Sequence, residues 1–317
     1  MKHVALVTDP ESLPIDFDMD LLTDACVAQG VQPEVVEWTD PSVPWGKYDA
    51  VLLRSPWSYT KHLKRFRDWC ARVDAQTHLI NPLAVISWGL DKTYLKDLEA
   101  LDVPIVPTEI LALNAKIGDR LQSFMEDHPE CNELVIKPTV GAYSQNVGRF
   151  TRQNIETAIQ HVEALFATGH SVIIQPYLTS IDERGETDMI FFDGHYSHAI
   201  RKAALLMPDG TVNVPSTDMR SARAASPAER EVGVSALKAV TKTFGLESPL
   251  LYARVDLVED QNGAPVLLEL EISEPSLSLP FAPGSPDRFA KAIANRLISN
   301  DFAGTDIQQS TQGVGSG

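Results

Sequence analysis

Two strand-like segments near the C-terminus carry charged side chains at alternate positions. The first contains Arg254-Val-Asp256, the second contains Glu269-Leu-Glu271, and the turn-like Asp260-Gln-Asn-Gly263 lies between them. Alternate residues of a β-strand face the same side. If the two strands pair through this turn, three carboxylates and one guanidinium meet on one surface of a sheet.

The like charges of this predicted surface need a partner. Carboxylates at adjacent sheet positions repel one another unless a cation is present. Carboxylate oxygens are also the ligands that Mg²⁺ takes together with substrate phosphates. The alternative is the solvated polar face of an ordinary antiparallel hairpin, which leaves the repulsion unrelieved. The pattern therefore favours a metal site on Asp256, Glu269 and Glu271.

The first 85 residues alternate short apolar runs with helical patterns, which is typical of a parallel α/β sheet. Ligands of such sheets bind at the carboxyl ends of the strands. Arg54-Ser-Pro-Trp-Ser-Tyr59 follows the predicted strand 50–53. Arg54 is therefore a candidate to hold a substrate carboxylate in a bidentate pair. The alternative is a surface cluster of Trp and Tyr that packs on the following helix.

Two lysines stand beside predicted loops. Lys137 ends the run Leu-Val-Ile-Lys-Pro, and residues 141–148, called the glycine loop below, offer Gly141, Ser144 and backbone N–H groups to a polyphosphate. Lys92 follows Asp91, which is predicted to be a helix N-cap, and an anion bound there would offset the unfavourable interaction of the lysine with the helix dipole. The alternatives are an exposed hairpin loop and a lysine extended into water.

A further candidate site follows the strand-like run 171–175. It comprises Gln175-Pro-Tyr-Leu178 and the downstream acids Asp182 and Glu186. An exposed backbone edge can pair with adenine, and a carboxylate beyond it can bind ribose hydroxyls. The alternative is an ordinary exit from a strand into a loop.

The formal net charge is −16, from 27 Lys and Arg against 43 Asp and Glu. This charge argues against sequence-independent nucleic-acid binding, which needs a basic face. No apolar run has the length to cross a bilayer, and three widely spaced cysteines favour a reducing compartment over a disulfide framework. We therefore expect a cytoplasmic protein with no nucleic-acid or membrane partner.

In their order along the chain these motifs resemble the ATP-grasp superfamily of ligases. The resemblance spans about residues 1–300 and rests on Asp91-Lys92, Val-Ile-Lys137-Pro with its glycine loop, Gln-Pro-Tyr-Leu178, Arg-Val-Asp256 and Leu-Leu-Glu269-Leu-Glu271-Ile-Ser-Glu-Pro-Ser276. The last run looks like the metal-binding strand of the family, although Glu271 stands where Asn is usual. Within the superfamily the chain looks closest to prokaryotic glutathione synthetases and peptide ligases, and to the cyclo-ligases of cycloserine biosynthesis, which close O-ureido-D-serine.

The resemblance implies a role for each matching residue. Lys137 and Arg254 would be catalytic, and Lys92 and Lys137 would hold the α- and β-phosphates of ATP under the glycine loop. Adenine would be framed by Gln175, Tyr177 and Leu178, with Asp182 or Glu186 on the ribose. Two Mg²⁺ ions, or Mn²⁺, would bind Asp256, Glu269 and Glu271. Substrate contacts are expected from Arg54, Ser55, Tyr59, Arg201, Glu274 and Ser276.

The implied fold is α/β (α+β), with an N-terminal parallel α/β subdomain and two α+β subdomains that clasp ATP. The predicted boundaries are 1–88, 89–180 with the glycine loop, and 181–302 with the metal site. The tail 303–317 is small and polar and is predicted to be disordered. Family members commonly form dimers or tetramers, which leaves a homo-oligomer open.

Three functions remain open at this point. The first is an intramolecular C–N ligase for a small amino-acid-like substrate, and the second is an intermolecular carboxylate–amine ligase. The third is an ATP-binding regulatory protein that has lost turnover, and the intact set Lys92, Lys137, Arg254, Asp256 and Glu269 speaks against it. The first two differ in the number of organic substrates needed for ADP release.

Overall fold

Three β-sheets form the framework of the protein. The computed structural model describes residues 1–113, 115–142, 144–207, 210–213 and 216–299, so the predicted disordered tail 303–317 lies outside the described residues. The strands are β1 Lys2–Thr8, β2 Val31–Glu37, β3 Ala50–Ser55, β4 His78–Ile80, β5 Glu109–Leu111, β6 Glu133–Pro138, β7 Gly148–Thr151, β8 Val172–Pro176, β9 Glu186–Phe192, β10 His195–Lys202, β11 Arg220–Arg223, β12 Tyr252–Glu259 and β13 Pro265–Glu271. The α-helices are α1 Met19–Ala28, α2 Leu63–Asp74, α3 Leu83–Gly89, α4 Tyr94–Glu99, α5 Ile117–Asp127, α6 Ile155–Ala167, α7 Ser180–Arg184, α8 Pro227–Phe244 and α9 Ser285–Ser299.

The first sheet is parallel, with the strand order β2-β1-β3-β4, as the alternating N-terminal pattern predicts. Its central strands are buried on both faces because helices cover both sides. One face packs with α1, and the other packs with Phe66 and Trp69 of α2. The last helix, α9, lies against α1 and buries Phe289 and Ile293 in the same core. The core of the first sheet is thus built from both ends of the described chain.

The second sheet is antiparallel, with the order β5-β8-β6-β7. Helices α5 and α6 cover one face, where Leu121 and Val162 pack on Ile136. The neighbouring residues Val135 and Lys137 point to the opposite face and line a cleft. The pleat of β6 therefore separates core residues from cleft residues.

The third sheet is antiparallel, with the order β11-β10-β9-β12-β13. Helix α8 covers one face and buries Ala236 and Val240 against it. This helix begins at a capping box formed by Ser226 and Glu229, with Pro227 in the first turn. The hairpin of β9 and β10 turns at Asp193-Gly194, with φ angles of 48° and 75°.

The predicted subdomain boundaries remain a prediction. Each of the first two predicted segments contains one of the first two sheets, but α9 belongs to the third predicted segment and packs in the core of the first sheet. Within the described ranges, no helix combines the length and the apolar character that spanning a membrane requires.

Candidate active site

The hairpin predicted from the alternating charges is present. Strands β12 and β13 pair antiparallel, with Arg254 opposite Glu271 and Asp256 opposite Glu269. The intervening Val255 pairs with Leu270, and both are buried in the core under α8. The alternation in the sequence therefore gives this hairpin one apolar and one charged face.

Strands β9 and β10 extend the charged face. Asp188 lies opposite Asp256, and Lys202 lies opposite Glu186. The Nζ atom of Lys202 is 2.6 Å from Glu186 Oε2, 3.6 Å from Asp188 Oδ1 and 3.9 Å from Asp256 Oδ2. One largely buried ammonium group thus lies within 4 Å of three carboxylates.

Arg254 is the second cation of this face. Its Nε and Nη2 atoms donate to the two carboxylate oxygens of Asp256 at 2.7 and 2.8 Å. Its Nη2 atom also lies 2.7 Å from Glu271 Oε1, and its Nη1 atom donates to the Ser276 carbonyl at 3.2 Å. The bidentate pair fixes the plane of the guanidinium.

The crowded carboxylates shift the pKa values of one another. Burial raises the pKa of Asp188, and the nearby Asp256 raises it further. Burial also raises the pKa of Glu271, although Arg254 opposes this, and it raises the pKa of Glu186 to about 7 against the attraction of Lys202. Glu269 differs, because Lys137 and Lys92 outweigh its burial and lower its pKa. A divalent cation would favour the ionised form of all of them.

A cleft of about 1080 Å³ lies over the charged face and is lined by residues of the second and third sheets and of the segments that follow β1 and β3. Lys137, at the end of β6, reaches across it and places Nζ 2.7 Å from Glu269 Oε1. Lys92 also lines the cleft and donates from Nζ to the Gly141 carbonyl at 3.0 Å. The two predicted phosphate ligands therefore share one cavity with Glu269 and Glu271, and the third predicted metal ligand, Asp256, is buried beside these two acids.

The predicted helix start at Asp91 is wrong. Helix α4 begins at Tyr94, and Asp91 accepts the backbone N–H of Thr93 at 3.1 Å within a turn before the helix. Lys92 instead donates its backbone N–H to the Thr139 carbonyl at 2.8 Å. Lys92 is thus held by the residue after β6 and not by a helix end, so the helix-dipole argument for its function does not apply.

One end of the cleft combines apolar walls with an unpaired polar atom. Leu178 packs with Val106 and Val258, and Tyr177 and Gln175 line the same region. Gln175 donates from Nε2 to Thr108 Oγ1 at 2.9 Å, while its Oε1 is buried and has no hydrogen-bond partner among the described residues. An aromatic base with an exocyclic amino group would fill this space and satisfy that oxygen.

The two acids predicted for the ribose are placed differently from each other. Asp182 accepts the Tyr177 hydroxyl and pairs with Arg149, whose guanidinium carbon lies 3.6 Å from the centre of the Tyr177 ring. Asp182 and Arg149 together therefore hold the Tyr177 side chain in place. Glu186 lines the cleft but is bound to Lys202. In the glycine loop, Gly141 and Ser144 line the cleft, and Tyr143 lies outside the described residues.

Three of the six predicted substrate residues line the other end of the cleft. These are Tyr59, Glu274 and Ser276. Tyr59 is buried, and its hydroxyl forms a hydrogen bond with Glu274.

The other three predicted substrate residues point elsewhere, which is a correction. Arg54 is 1% exposed, donates to the Pro275 carbonyl at 3.0 Å and lies 5.6 Å from the ring centres of both Tyr252 and Phe289. Ser55 is fully buried against Thr8. Arg201 lies on the opposite face of β10 and donates to the carbonyls of Glu183 and Arg184. Direct substrate binding does not fit these positions.

Comparison with known proteins decides the family. Residues 4–81 match the family model for the D-cycloserine synthetase DcsG, N-terminal domain. The chain is 47% identical over 297 residues to the cycloserine biosynthesis protein DcsG of Streptomyces lavendulae, covering 94% of this chain and 99% of that protein. The crystal structure of D-cycloserine synthetase DcsG superposes with a TM-score of 0.90 at 47% identity, covering 93% of this chain and 99% of that one.

This chain belongs to the DcsG family. Its fold is also that of the ATP-grasp ligase PsnB, solved with Mg and ADP (TM-score 0.61, 18% identity, 94% and 98% of the two chains). The D-alanine–D-alanine ligase of Bacillus anthracis has the same fold as well (TM-score 0.64, 16% identity, 94% and 97% of the two chains). The predicted ATP-grasp fold and the predicted ligase class are therefore confirmed.

The donor set of this DcsG-family protein fits a magnesium ion. One oxygen from each of Asp256, Glu269 and Glu271 lies within 4.8 Å of the others, and all-oxygen sets of this kind suit Mg²⁺ and Mn²⁺. The nucleotide also fits, because the cleft contains the unpaired Gln175 oxygen at one end and two lysines near these acids.

Sequence reasoning missed three charged residues of the DcsG-family site. Lys202 and Asp188 are described above, and Arg220 of β11 lines the cleft, lies opposite Lys202 and leaves a buried Nε without a hydrogen-bond partner among the described residues. The signal for Asp188 was present, because it lies two residues after Glu186, and alternate residues of a strand share one face. Lys202 gave no such signal, because a bulge in β10 sets its position opposite Glu186.

Proposed function

We propose that this chain closes O-ureido-D-serine, or a closely similar ureido amino acid, into a cycloserine-type ring and converts ATP to ADP and phosphate in doing so. One observation carries the proposal. In a chain that is 47% identical to a cycloserine biosynthesis protein, Lys137, Arg254, Glu269 and Glu271 line one cleft, and the carboxylate of Asp256 lies within 4.8 Å of the two glutamates. The cleft is of a size that suits a nucleotide and a small substrate.

The first half of the reaction is phosphoryl transfer. The substrate carboxylate attacks the γ-phosphorus of ATP, ADP leaves and an acylphosphate forms. Lys92, Lys137 and Lys202 neutralise phosphate charge, because all three ammonium groups line the same cavity. Asp256, Glu269 and Glu271 would hold Mg²⁺, which supplies further charge neutralisation at phosphate oxygens when bound. We propose two such ions, with Glu271 replacing the usual Asn as a ligand.

The second half is ring closure. A nitrogen of the same molecule attacks the acyl carbon, and Arg254 donates to the oxygen that becomes negative. Because nucleophile and electrophile belong to one molecule, correct orientation contributes much of the rate. The glycine loop, from which Gly141 and Ser144 reach the cleft, covers the acylphosphate and keeps water away from it.

An ADP-release assay with Mg²⁺ tests the proposal. O-ureido-D-serine alone should release ADP and phosphate and yield the cyclic product. If ADP appears only when a second amine is added, the enzyme is an intermolecular ligase. If no member of a panel of amino acids and ureido compounds releases ADP, the proposed activity is wrong.

A further inference from the structure

Residues 272–277 follow the metal-binding strand, and hydrogen bonds to their backbone carbonyls hold them in place. Each of their six backbone carbonyls accepts a hydrogen bond from a side chain: in order, these side chains are Asn81, Tyr252, Trp57, Arg54, Arg254 and His198. The donors come from both the first and the third sheet regions. A segment fixed in this way presents its side chains to the cleft in one orientation.

Asp18 holds the end of the same segment. It is fully buried and accepts the backbone N–H groups of Leu277, Ser278 and Leu279 at 2.6, 3.1 and 2.7 Å. Ser278 has a φ of 53°, a left-handed conformation that a serine adopts only when its surroundings impose it. The fold therefore maintains an unfavourable backbone conformation close to Glu274 and Ser276.

Glu274 is the cleft-facing carboxyl of this fixed segment. The other carboxylates of the charged face each lie within 4 Å of a lysine or arginine: Glu186 and Asp188 near Lys202, Asp256 and Glu271 near Arg254, and Glu269 near Lys137. Glu274 has no such ion pair among the described residues, and its side-chain partner is the Tyr59 hydroxyl. A nearby cation favours the ionised form of a carboxylate, and Glu274 is the member of this set that can accept a proton without breaking an ion pair.

Glu274 also lies on the oxyanion side of the cleft. Arg254 binds the carbonyl of Ser276, two residues further along the fixed segment. The charges of both Arg254 and Lys92 act on the Glu274 carboxyl. Arg254 and Glu274 both line the cleft, so a substrate whose acyl oxygen faces Arg254 would share this part of the cleft with Glu274.

We infer that Glu274 is the catalytic base that takes the proton from the attacking nitrogen during ring closure. The inference rests on the proposed function. The nitrogen lone pair forms the C–N bond, and the bond between the acyl carbon and the phosphate oxygen breaks with its electron pair on phosphate. The N–H proton passes to Glu274, which returns it to water after product release.

The protonation behaviour of Glu274 agrees with this role. Burial raises its pKa to about 7, with Glu271 acting in the same direction and Tyr59, Lys92 and Arg254 opposing it. A base is most effective when its pKa lies near the working pH. Ring closure should therefore quicken as the pH rises through about 7.

The test separates the two half-reactions in the full chain with ATP, Mg²⁺ and O-ureido-D-serine. Hydroxylamine converts an acylphosphate to a hydroxamate, so it reports the first half, and cyclic product reports the second. Glu274→Gln should form hydroxamate within about 3-fold of the wild-type rate while ring formation falls about 100-fold or more, the range for loss of a general base. Asp16→Asn is the matched control, since Asp16 is another carboxyl that lines the cleft, and its two rates should stay in the wild-type ratio.

The variant Tyr59→Phe provides a second test, through the pH profile of ring closure. The Tyr59 hydrogen bond lowers the pKa of Glu274, so its removal should move the rising limb of the ring-closure profile to higher pH. Equal loss of hydroxamate and ring in Glu274→Gln would overturn the inference, because it would make Glu274 a substrate-binding residue. An unchanged ring rate, or the expected phenotype in Asp16→Asn instead, would also overturn it. Failure of the proposed function itself is distinct, since wild-type protein would then form no hydroxamate.

Discussion

Glu269 accepts the ammonium group of Lys137 at 2.7 Å, which joins a predicted metal ligand to a predicted phosphate ligand across the cleft. The pair connects the second and third sheets. Nucleotide and metal would compete for the two partners, because phosphate oxygens attract the lysine and Mg²⁺ attracts the carboxylate. We infer that binding of nucleotide and metal breaks this ion pair and replaces it with two stronger sets of contacts, those of Lys137 with phosphate and those of Glu269 with the metal.

Replacing Glu269 by Gln should therefore abolish turnover and leave the fold intact. The amide keeps the shape but loses the charge that holds the metal, and a loss greater than about 100-fold is expected, beyond that for an outer partner of a metal ligand. Substrate-dependent ADP release measures it. Glu259→Gln is the control, since Glu259 pairs with Arg184 at the far end of the same hairpin. Full activity in Glu269→Gln would refute the metal assignment.

Neighbouring residues of β10 should differ sharply in their importance. Lys202→Gln should lower turnover by about 100-fold, as removal of one preorganised electrostatic group does, while Arg201→Gln should change it by less than about 3-fold. Lys202→Gln also leaves Glu186, Asp188 and Asp256 without their shared ammonium. Added Mg²⁺ should therefore raise the melting temperature of this variant more than that of the wild type. Equal kinetic effects at the two positions would contradict the assigned faces.

Arg54 should affect stability more than substrate binding. Arg54→Met keeps the bulk against Tyr252 and Phe289 but leaves the Pro275 carbonyl without its donor, which costs about 2 kcal/mol of unfolding free energy for a buried group. The urea midpoint of unfolding measures this loss. A KM for the organic substrate that rises 100-fold at unchanged stability would restore the sequence-based prediction that Arg54 holds the substrate.

A methyl group at Gly185 should disturb Lys202. Gly185 has a φ of 71°, and a Cβ there would lie 2.3 Å from the Lys202 carbonyl oxygen. Gly185→Ala should cost more than about 3 kcal/mol, because a strained backbone of 1–3 kcal/mol adds to a clash with the main chain, and turnover should fall as β10 moves. Gly30→Ala is the control: its φ is 75° and nothing lies near its Cβ, so about 1 kcal/mol and full activity are expected.

The predictability of the site depended on whether the relevant pattern was local. Alternation within Arg254–Asp256 and Glu269–Glu271 was enough to predict one charged face, because a single short turn joins the two strands. The register of β10 against β9 could not be predicted from a local pattern. A regular hairpin closing at Asp193-Gly194 would place Arg201 opposite Glu186, but a bulge between Tyr196 and His198 shifts the register, so that Lys202 takes that place.

Arg54 illustrates the other limit. The strand-end rule placed it correctly at the edge of the first sheet, yet its guanidinium turns inward to Pro275, Tyr252 and Phe289. These partners lie far away in sequence, so the pattern of residues around Arg54 cannot predict these contacts. Asp18 could not be predicted for the same reason, because the backbone N–H groups that it accepts belong to residues 277–279, which are distant in sequence.

The position of α9 has a consequence for biosynthesis. Phe289, Ile293 and Leu297 share one buried core with α1 and the first sheet, but the ribosome makes them about two hundred residues after the last strand of that sheet. Since chains grow at 5–20 residues per second, the first-made part of this protein must wait about 10–40 seconds for its final layer. During that interval the apolar side of α1 is open to chaperones, and a chain cut short before residue 285 would keep it open permanently.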